Sequence, residues 1–223
     1  GGILLLGAGD KNPRGILGQV RKPMTFRVSY YLDIYRNTQD NLFVETKEDT
    51  IDSYAVRLRD TIDTVRYLTN KDKVIIVAHS MGGLVVRRYL QIFGEDSLDN
   101  VIFIGTPNHG IFGATQRYCS LLGASSECRD MDESSLFINK LNTNTVSLDV
   151  PAYNIIGVGC PTNSDTGDGI VTSESAFLEG AKTYHVTGIC IQSQFRFFHT
   201  EMISPSKYPE IFSLVNESLH EKT

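Results

Sequence analysis

The sequence has no strongly basic segment and no long apolar run. Its 223 residues include 21 Lys and Arg against 26 Asp and Glu, a net charge of −5, and the two signs are dispersed along the chain. Without a basic patch we expect no nucleic-acid partner. No apolar run approaches the ~18 residues that are needed to span a bilayer, so we also expect no transmembrane segment.

Cysteine is scarce, and the four that are present do not form the close C-x-x-C pairs of a zinc site. Cys119 and Cys128 flank a short segment rich in Gly and Ser, and Cys160 and Cys190 each follow a predicted strand. We therefore predict the disulfides Cys119–Cys128 and Cys160–Cys190, and with them a secreted or extracytoplasmic protein. The alternative is a cytosolic protein with four buried free thiols.

Internal repeats and interdomain linkers are absent as well. A chain of this length can bury a sizeable core in one domain, so we predict a single domain over residues 1–223. The sequence begins at Gly1 rather than at a methionine, and we expect a processed or trimmed chain from which any signal peptide has been removed. Nothing in the sequence sets the oligomeric state.

The most informative stretch is a strand, a tight turn and a helix within residues 74–90. The β-branched run Val74–Val77 predicts a buried parallel strand, and the apolar spacing after residue 83 predicts an amphipathic helix. Ser80 lies in the turn between them, where a strained backbone requires small residues two positions away, here Ala78 and Gly82. This context is typical of a nucleophile elbow, although alanine replaces the first glycine of G-x-S-x-G. An ordinary strand–helix corner with a capping serine is the alternative.

With Ala-His-Ser-Met-Gly-Gly at this turn, the sequence resembles the α/β-hydrolase superfamily and, within it, the lipases and esterases. The resemblance extends from Ile3 to the C-terminal helix. It implies an α/β fold with a mostly parallel central sheet flanked by helices, and a small cap or lid inserted at residues 111–149. That segment also fits a pair of core-packing helices, and both interpretations can hold together.

In this superfamily the catalytic residues follow the chain order Ser, acid, His, each after a strand end. By resemblance, Ser80 is the nucleophile, Asp168 of Asp-Gly-Ile-Val is the acid, and His199 of His-Thr-Glu-Met-Ile is the base. Asp165, three residues upstream in the same loop, is the competing acid. His79 belongs to the elbow and is expected to point away from the Ser80 hydroxyl.

The resemblance also implies an oxyanion hole formed by the backbone N–H groups of Ala8 and Met81. Many lipases have His-Gly at the first of these loops, whereas this sequence has Leu6-Gly7, but the donor is a main-chain group that needs no particular side chain. A Thr-Pro-Asn-His-Gly segment at 106–110 likewise resembles lipases. It is predicted to position a strand end and to place His109 near the site without making it catalytic.

The predicted function is a serine carboxylic-ester hydrolase, a lipase or esterase, acting through an acyl-enzyme on Ser80. The reaction requires no metal and no cofactor, and no dense oxygen-ligand motif indicates a lid calcium site. The expected partner is an ester or lipid substrate, with lipid-interface contact through the lid. An acyltransferase, or a deacylase of phospholipid or GPI type, uses the same three residues. A non-catalytic binding module on this scaffold is the alternative from another class.

Periodicity predicts the remaining elements. The predicted strands are Ile3–Leu6, Phe26–Ile34, Val101–Gly105, Ala152–Val158 and Lys182–Thr187, and the predicted helices are Thr50–Thr69 and Pro209–His220. Asp49 or Thr50 is expected to cap the first helix and Asn70 to end it. Cys160–Gly169 is predicted to be a loop.

Overall fold

The computed structural model of the protein describes residues 14–18, 24–28, 32–36, 41–45, 50–111, 113, 125–143, 149–163, 165–190 and 198–220. Its strands are β1 (Leu32–Arg36), β2 (Asn41–Glu45), β3 (Val74–His79), β4 (Leu98–Ile104), β5 (Ala152–Val158), β6 (Cys160–Thr162), β7 (Asp165–Gly167) and β8 (Lys182–Thr187). Its helices are α1 (Ile51–Thr69), α2 (Met81–Phe93), α3 (Ser125–Asp130), α4 (Leu136–Thr143), α5 (Ser173–Ala176), α6 (Phe198–Glu201) and α7 (Pro209–His220).

The central sheet has four parallel strands in the order β3-β4-β5-β8. In its register His79 lies opposite Ile104, Ile104 opposite Ile155, and Val158 opposite Thr187. The carboxyl ends of these strands therefore meet at one edge. In open α/β sheets this edge is where ligands bind, so the segments that follow β3, β4, β5 and β8 can contribute to one site.

Alternate residues of β4, an inner strand, pack in separate clusters on opposite faces of the sheet. Val101 and Phe103 of β4 belong to the cluster formed with α1 and α2, whereas Ile102 and Ile104 belong to the cluster that includes Ile211 of α7. This alternation gives an α/β architecture in which the inner strand β4 is covered on both faces. The prediction of a buried strand at Val74–Val77 is wrong for β3, an edge strand of the sheet that the structure describes, where Ile75 and Val77 are exposed. None of the helices in the described part of the chain combines the length and apolar character needed to cross a membrane.

Helix α1 follows its sequence signals closely. Thr50 is the N-cap, and its hydroxyl oxygen accepts the N–H of Ser53, while Asn70 ends the helix in a left-handed conformation with φ of 53°. These are the capping and terminating roles that the residue types favour. The predicted helices at residues 50–69 and 209–220 and the predicted strands 152–158 and 182–187 are confirmed.

Two predictions in the strands and loops need correction. In the predicted strand Phe26–Ile34, residues 26–28 are not a strand, whereas residues 32–34 belong to β1, which pairs in antiparallel register with β2 outside the central sheet. The segment Cys160–Gly169 is not a plain loop, because β6 and β7 form a short antiparallel hairpin within it. In both cases a strand is set by its pairing partner, which residue periodicity within one segment cannot reveal. The predicted strand Ile3–Leu6 lies outside the described residues.

A disulfide joins Cys160, at the start of β6, to Cys190, which follows β8. Cys128 is also disulfide-bonded, and its predicted partner Cys119 lies outside the described residues. The Cys160–Cys190 bond connects the segment after β5 with the segment after β8. It therefore restrains two of the segments that meet at the carboxyl edge of the sheet.

We expect peptide mapping under non-reducing conditions to recover a peptide pair joined through Cys160 and Cys190, and a second pair joined through Cys119 and Cys128. Reduction before digestion should release all four peptides separately and serves as the control. Four thiols that react with an alkylating agent in the native protein would contradict both disulfides.

Candidate active site

The turn between β3 and α2 holds Ser80 in a conformation that L-residues rarely adopt. Ser80 has φ of 55° and ψ of −131°, and α2 begins at the next residue, Met81. Its N–H donates to the carbonyl oxygen of Ile104 on β4 at 2.9 Å, and its carbonyl oxygen accepts the N–H of Gly83 at 3.0 Å. Strained backbone of this kind persists only where the surroundings hold it in place, and it is concentrated at functional sites.

Close packing around the turn occurs one residue later than the sequence suggests. A Cβ at Gly82 would lie 3.9 Å from the Cβ of Ala78, which is an ordinary contact. A Cβ at Gly83 would lie only 2.0 Å from the hydroxyl oxygen of Thr106, a fully buried residue that follows β4. The glycine at 83, more than the one at 82, lets α2 approach the segment after β4.

Three side chains from different segments form a continuous hydrogen-bonded chain at the carboxyl edge of the sheet. Nε2 of His199 lies 2.8 Å from the Ser80 hydroxyl oxygen, and Nδ1 of His199 lies 2.7 Å from Oδ2 of Asp168. A carboxylate oxygen accepts the Nδ1 hydrogen, which leaves the Nε2 lone pair facing the serine hydroxyl. Asp168 and His199 are buried, with exposed fractions of 1% and 0%.

The Asp168 carboxylate is held by the backbone that follows it. Its Oδ1 accepts the N–H groups of Ile170 at 3.0 Å and Val171 at 2.8 Å, and both of these side chains are buried. The carbonyl oxygen of Asp168 accepts the N–H of His199 at 2.9 Å. A buried carboxylate is costly unless it is hydrogen-bonded, and here both of its oxygens accept hydrogen bonds.

Two glycines at the strand ends leave room for the Asp168 carboxylate and the His199 imidazole. A Cβ at Gly105, where φ is +54°, would lie 3.1 Å from Oδ2 of Asp168 and 3.3 Å from Nδ1 of His199. A Cβ at Gly157 of β5 would lie 2.7 Å from the Cβ of Asp168. The buried Met202 thioether lies 3.1–3.2 Å from both of these Cβ positions. The ends of β4 and β5 therefore require glycine for the acid and the imidazole to pack so closely.

His79, the last residue of β3, contacts the backbone of His199. Its Nε2 lies 2.9 Å from the His199 carbonyl oxygen, and the two ring centroids are 4.8 Å apart with the planes tilted by 38°. Burial, together with the nearby His199, lowers the pKa of His79 to about 4. The ring is therefore neutral at neutral pH, and the hydrogen bond described for it is to His199.

The segment 106–110 after β4 is a hub of hydrogen bonds. Arg87 of α2 donates to the carbonyl oxygen of Asn108 at 2.8 Å and to the amide oxygen of Asn142 of α4 at 2.8 Å. The Asn108 amide donates to the carbonyl oxygen of Ala176 at 2.9 Å, which ties the hub to α5. Burial lowers the pKa of Arg87 to about 10, so the guanidinium stays charged at neutral pH.

His109 is exposed at the edge of this hub, and it makes no contact with Ser80 among those described. Burial of part of its ring and the charge of Arg87 lower the pKa of His109. The backbone N–H of His109 donates to the carbonyl oxygen of Ser175, and the Ser175 hydroxyl donates to the carbonyl oxygen of Gly110. The Thr-Pro-Asn-His-Gly segment thus connects the strand end with α2, α4 and α5.

The structure brings together Ser80, Asp168 and His199 of the predicted residues. Asp165 lies in β7, exposed, and its carboxylate accepts the N–H of the next residue at 2.7 Å. Met81 is the first residue of α2, beside Ser80. Ala8, the other predicted oxyanion donor, lies outside the described residues. The sequence did not predict that His79 contacts His199 or that position 105 requires glycine, because both depend on which segments meet in the fold. For Gly105, the local signal is a glycine directly after a buried strand.

Within residues 111–149, the structure describes Ile111, Gly113, Asp149 and the segment 125–143, which contains α3 and α4. Ile138 and Leu141 of α4 are buried in the core cluster, whereas Leu136 at its start is 89% exposed. Besides the contacts of Arg87, the Gln91 amide of α2 donates to the carbonyl oxygen of Leu141 at 3.2 Å. Helix α4 is therefore packed on and hydrogen-bonded to α2.

Comparison with known proteins gives the fold. A family model described as the alpha/beta hydrolase fold matches residues 37–120, which include β3, the elbow, α2 and β4. The lipase BlEst2 from Bacillus licheniformis, in its mature form, superposes with a TM-score of 0.56 at 16% identity, covering 76% of this chain and 77% of that one. The chain has the α/β-hydrolase fold. The resemblance predicted from the elbow is confirmed at this level.

Two other solved structures superpose over similar spans. A Listeria innocua gene product gives a TM-score of 0.52 at 17% identity, over 85% of this chain and 76% of that one. A bromoperoxidase from Bacillus anthracis gives a TM-score of 0.53 at 14% identity, over 80% of this chain and 78% of that one. No curated protein matches the sequence. Since a lipase and a bromoperoxidase both superpose on this chain, the fold alone does not determine its reaction.

We expect Gly105→Ala to disturb the contact between His199 and Asp168. The added methyl group would crowd both side chains and would also require a positive φ, so the loss of unfolding free energy should exceed that of a strain-only control by about 1–3 kcal/mol. Gly94→Ala is that control, because Gly94 has φ of +74° and nothing within 4 Å of an added Cβ. Chemical denaturation of the two variants provides the comparison.

The same pair of variants should differ in the reactivity of Ser80. Labelling by a serine-directed phosphonate should slow about tenfold or more in Gly105→Ala, since a displacement of roughly 1 Å at a reacting group can cost 10²-fold. Gly94→Ala should label at the wild-type rate. Equal labelling rates in both variants would show that the packing at Gly105 does not affect the serine.

Proposed function

We propose that this α/β hydrolase is a serine carboxylic-ester hydrolase of lipase or esterase type, acting through an acyl-enzyme on Ser80. The observation that carries the proposal is the hydrogen-bonded chain from the Ser80 hydroxyl through His199 to the buried Asp168. A serine hydroxyl is a poor nucleophile until a base takes its proton and a carboxylate orients that base. In this proposal Ser80 is the nucleophile, His199 is the base and Asp168 is the carboxylate that orients the base.

In the proposed first half-reaction, Ser80 Oγ attacks the ester carbonyl carbon while Nε2 of His199 takes the hydroxyl proton. The resulting tetrahedral intermediate collapses as His199 gives that proton to the departing alkoxide, which leaves as an alcohol. In the second half, His199 takes a proton from water, which attacks the acyl-enzyme. The carboxylic acid then departs as the proton returns to Ser80.

Charge develops on the carbonyl oxygen during both attacks. The proposed donors to this oxygen are the backbone N–H groups of Met81 and Ala8. Met81 begins α2, so the positive end of the helix dipole faces the same region. A preset donor of this kind typically contributes ~3–4 kcal/mol of transition-state stabilisation. Asp168 stabilises the imidazolium of His199 in both steps without taking its proton.

Ester or lipid substrates are the proposed substrate class, and residues 111–149 are the proposed cap that contacts the acyl chain. The exposed Leu136 and the partly buried Phe137 of α4 provide apolar surface in this segment. Rates on nitrophenyl esters of increasing chain length, with emulsified triglyceride alongside, test the class. A preference for long chains and emulsion indicates a lipase, and a preference for short soluble esters indicates an esterase.

An extracytoplasmic location is also proposed. It is supported by the Cys160–Cys190 disulfide, because disulfides persist in oxidising compartments and are rare in the cytosol. The disulfide joins the segment that carries Asp168 to the segment that precedes His199. A reducing environment would therefore release a restraint on the proposed acid and base.

We expect Ser80→Ala to abolish ester hydrolysis, with a loss on the order of 10⁶-fold in kcat, because no other group can form the acyl-enzyme. The variant should remain folded, as judged by circular dichroism and thermal unfolding. Ser213→Ala is the matched control, since Ser213 is exposed on α7, and it should keep wild-type activity. Near-normal activity in Ser80→Ala would end the proposal, and failure of a phosphonate to label the wild-type protein would favour a non-catalytic binding module.

The acid is tested by comparing Asp168→Asn with Asp165→Asn. An amide at 168 should leave the imidazole in the wrong tautomer and lower kcat roughly 10⁴-fold, as in serine-protease triads. Asp165 is exposed, and the one hydrogen bond described for its carboxylate is to the N–H of the next residue, so Asp165→Asn should cost less than about tenfold. Both variants are measured on the same ester, and the reverse order of losses would assign the acid to Asp165.

A further inference from the structure

We propose that His79 is a positioning residue for His199, an inference that rests on the proposed function. His79 is the residue before Ser80, and its Nε2 lies 2.9 Å from the carbonyl oxygen of His199. The two rings also lie against each other, with centroids 4.8 Å apart. The end of β3 that carries the nucleophile is thus bonded directly to the backbone of the base.

The chemistry of the acceptor fixes the protonation of His79. A carbonyl oxygen can only accept, so Nε2 of His79 must carry a hydrogen and donate it. Burial holds the pKa of His79 well below neutral, so the ring donates as a neutral imidazole. It therefore places no positive charge beside His199, which must itself become an imidazolium during the reaction. With Nε2 occupied as a donor, His79 does not compete with His199 as a base.

The contact completes a clamp on the main chain of His199. The N–H of His199 donates to the carbonyl oxygen of Asp168 at 2.9 Å, while its carbonyl oxygen accepts from His79. The imidazole of His199 is therefore held between the nucleophile and acid segments through its backbone as well as through its ring nitrogens. Because α6 has only four residues, few helical hydrogen bonds hold His199 in place. The clamp from two strand ends supplies the rigidity that a single helical turn lacks.

Two variants separate the hydrogen bond from the ring contact. His79→Phe keeps an aromatic ring against His199 and removes the donor, whereas His79→Gln removes the ring and places an amide N–H near the position of Nε2. If His79→Phe does not fold, His79→Asn replaces it, since the shorter amide does not reach that position. His185→Phe is the matched control, because His185 is exposed on β8.

We expect His79→Phe to lower kcat on a nitrophenyl ester by roughly 10- to 100-fold, with KM within about twofold of wild type, because the base is displaced rather than the substrate pocket. His79→Gln should recover most of that loss. Rates are expressed per active site, titrated with a phosphonate, so that a loss of folded protein does not appear as a loss of kcat. The proposal is overturned if His79→Phe retains kcat within twofold, or if His79→Gln is as impaired as His79→Phe.

A second readout does not depend on turnover. The proton between Nδ1 of His199 and Oδ2 of Asp168 should give a low-field proton NMR signal in the wild type and in His79→Gln, and this signal should broaden or disappear in His79→Phe. An unchanged signal in His79→Phe contradicts the positioning role. If the wild-type protein hydrolyses no ester, the proposed function fails, while the NMR comparison still tests whether His79 positions His199.

Discussion

The hydrogen bond between His199 and Asp168 is the interaction on which the rest of the site depends. Both side chains are buried, so neither could be accommodated without the other and without the backbone donors of residues 170 and 171. The contact also explains the glycines at the ends of β4 and β5, where any larger side chain would occupy the space of the pair. The buried pair of Asp168 and His199 thus requires glycine at the ends of the two neighbouring strands.

The elbow and the buried pair depend on each other through the sheet. Parallel pairing sets the ends of β3, β4 and β5 side by side, and the N–H of Ser80 donates to the last residue of β4. The positive φ of Ser80 is therefore maintained by the neighbouring strand and by the close packing of Gly83 on Thr106. Strain at the serine is balanced by contacts that are themselves part of the core.

Much of this arrangement could be predicted from local sequence. The strand–turn–helix at Ser80, the capped helix α1 and the order of Ser80, Asp168 and His199 each leave a signal within a few neighbouring residues, and the fold that they indicate is confirmed. The β1–β2 and β6–β7 pairings left no such signal, because a strand is defined by its partner. His79 was expected only to point away from the serine; its bond to a residue 120 positions later depends on the folded chain.

The guanidinium of Arg87 limits how far α4 can move relative to α2. This buried charge is surrounded by oxygens of Asn108, Leu141 and Asn142, so moving α4 outward would strip away acceptors that lie on α4 itself. Leaving a buried charged donor without acceptors costs several kcal/mol. The hydrogen bonds from Arg87 therefore hold α4 against α2. Helix α4 is thereby fixed to the helix that begins directly after Ser80, so the position of residues 136–143 is tied to that of the elbow.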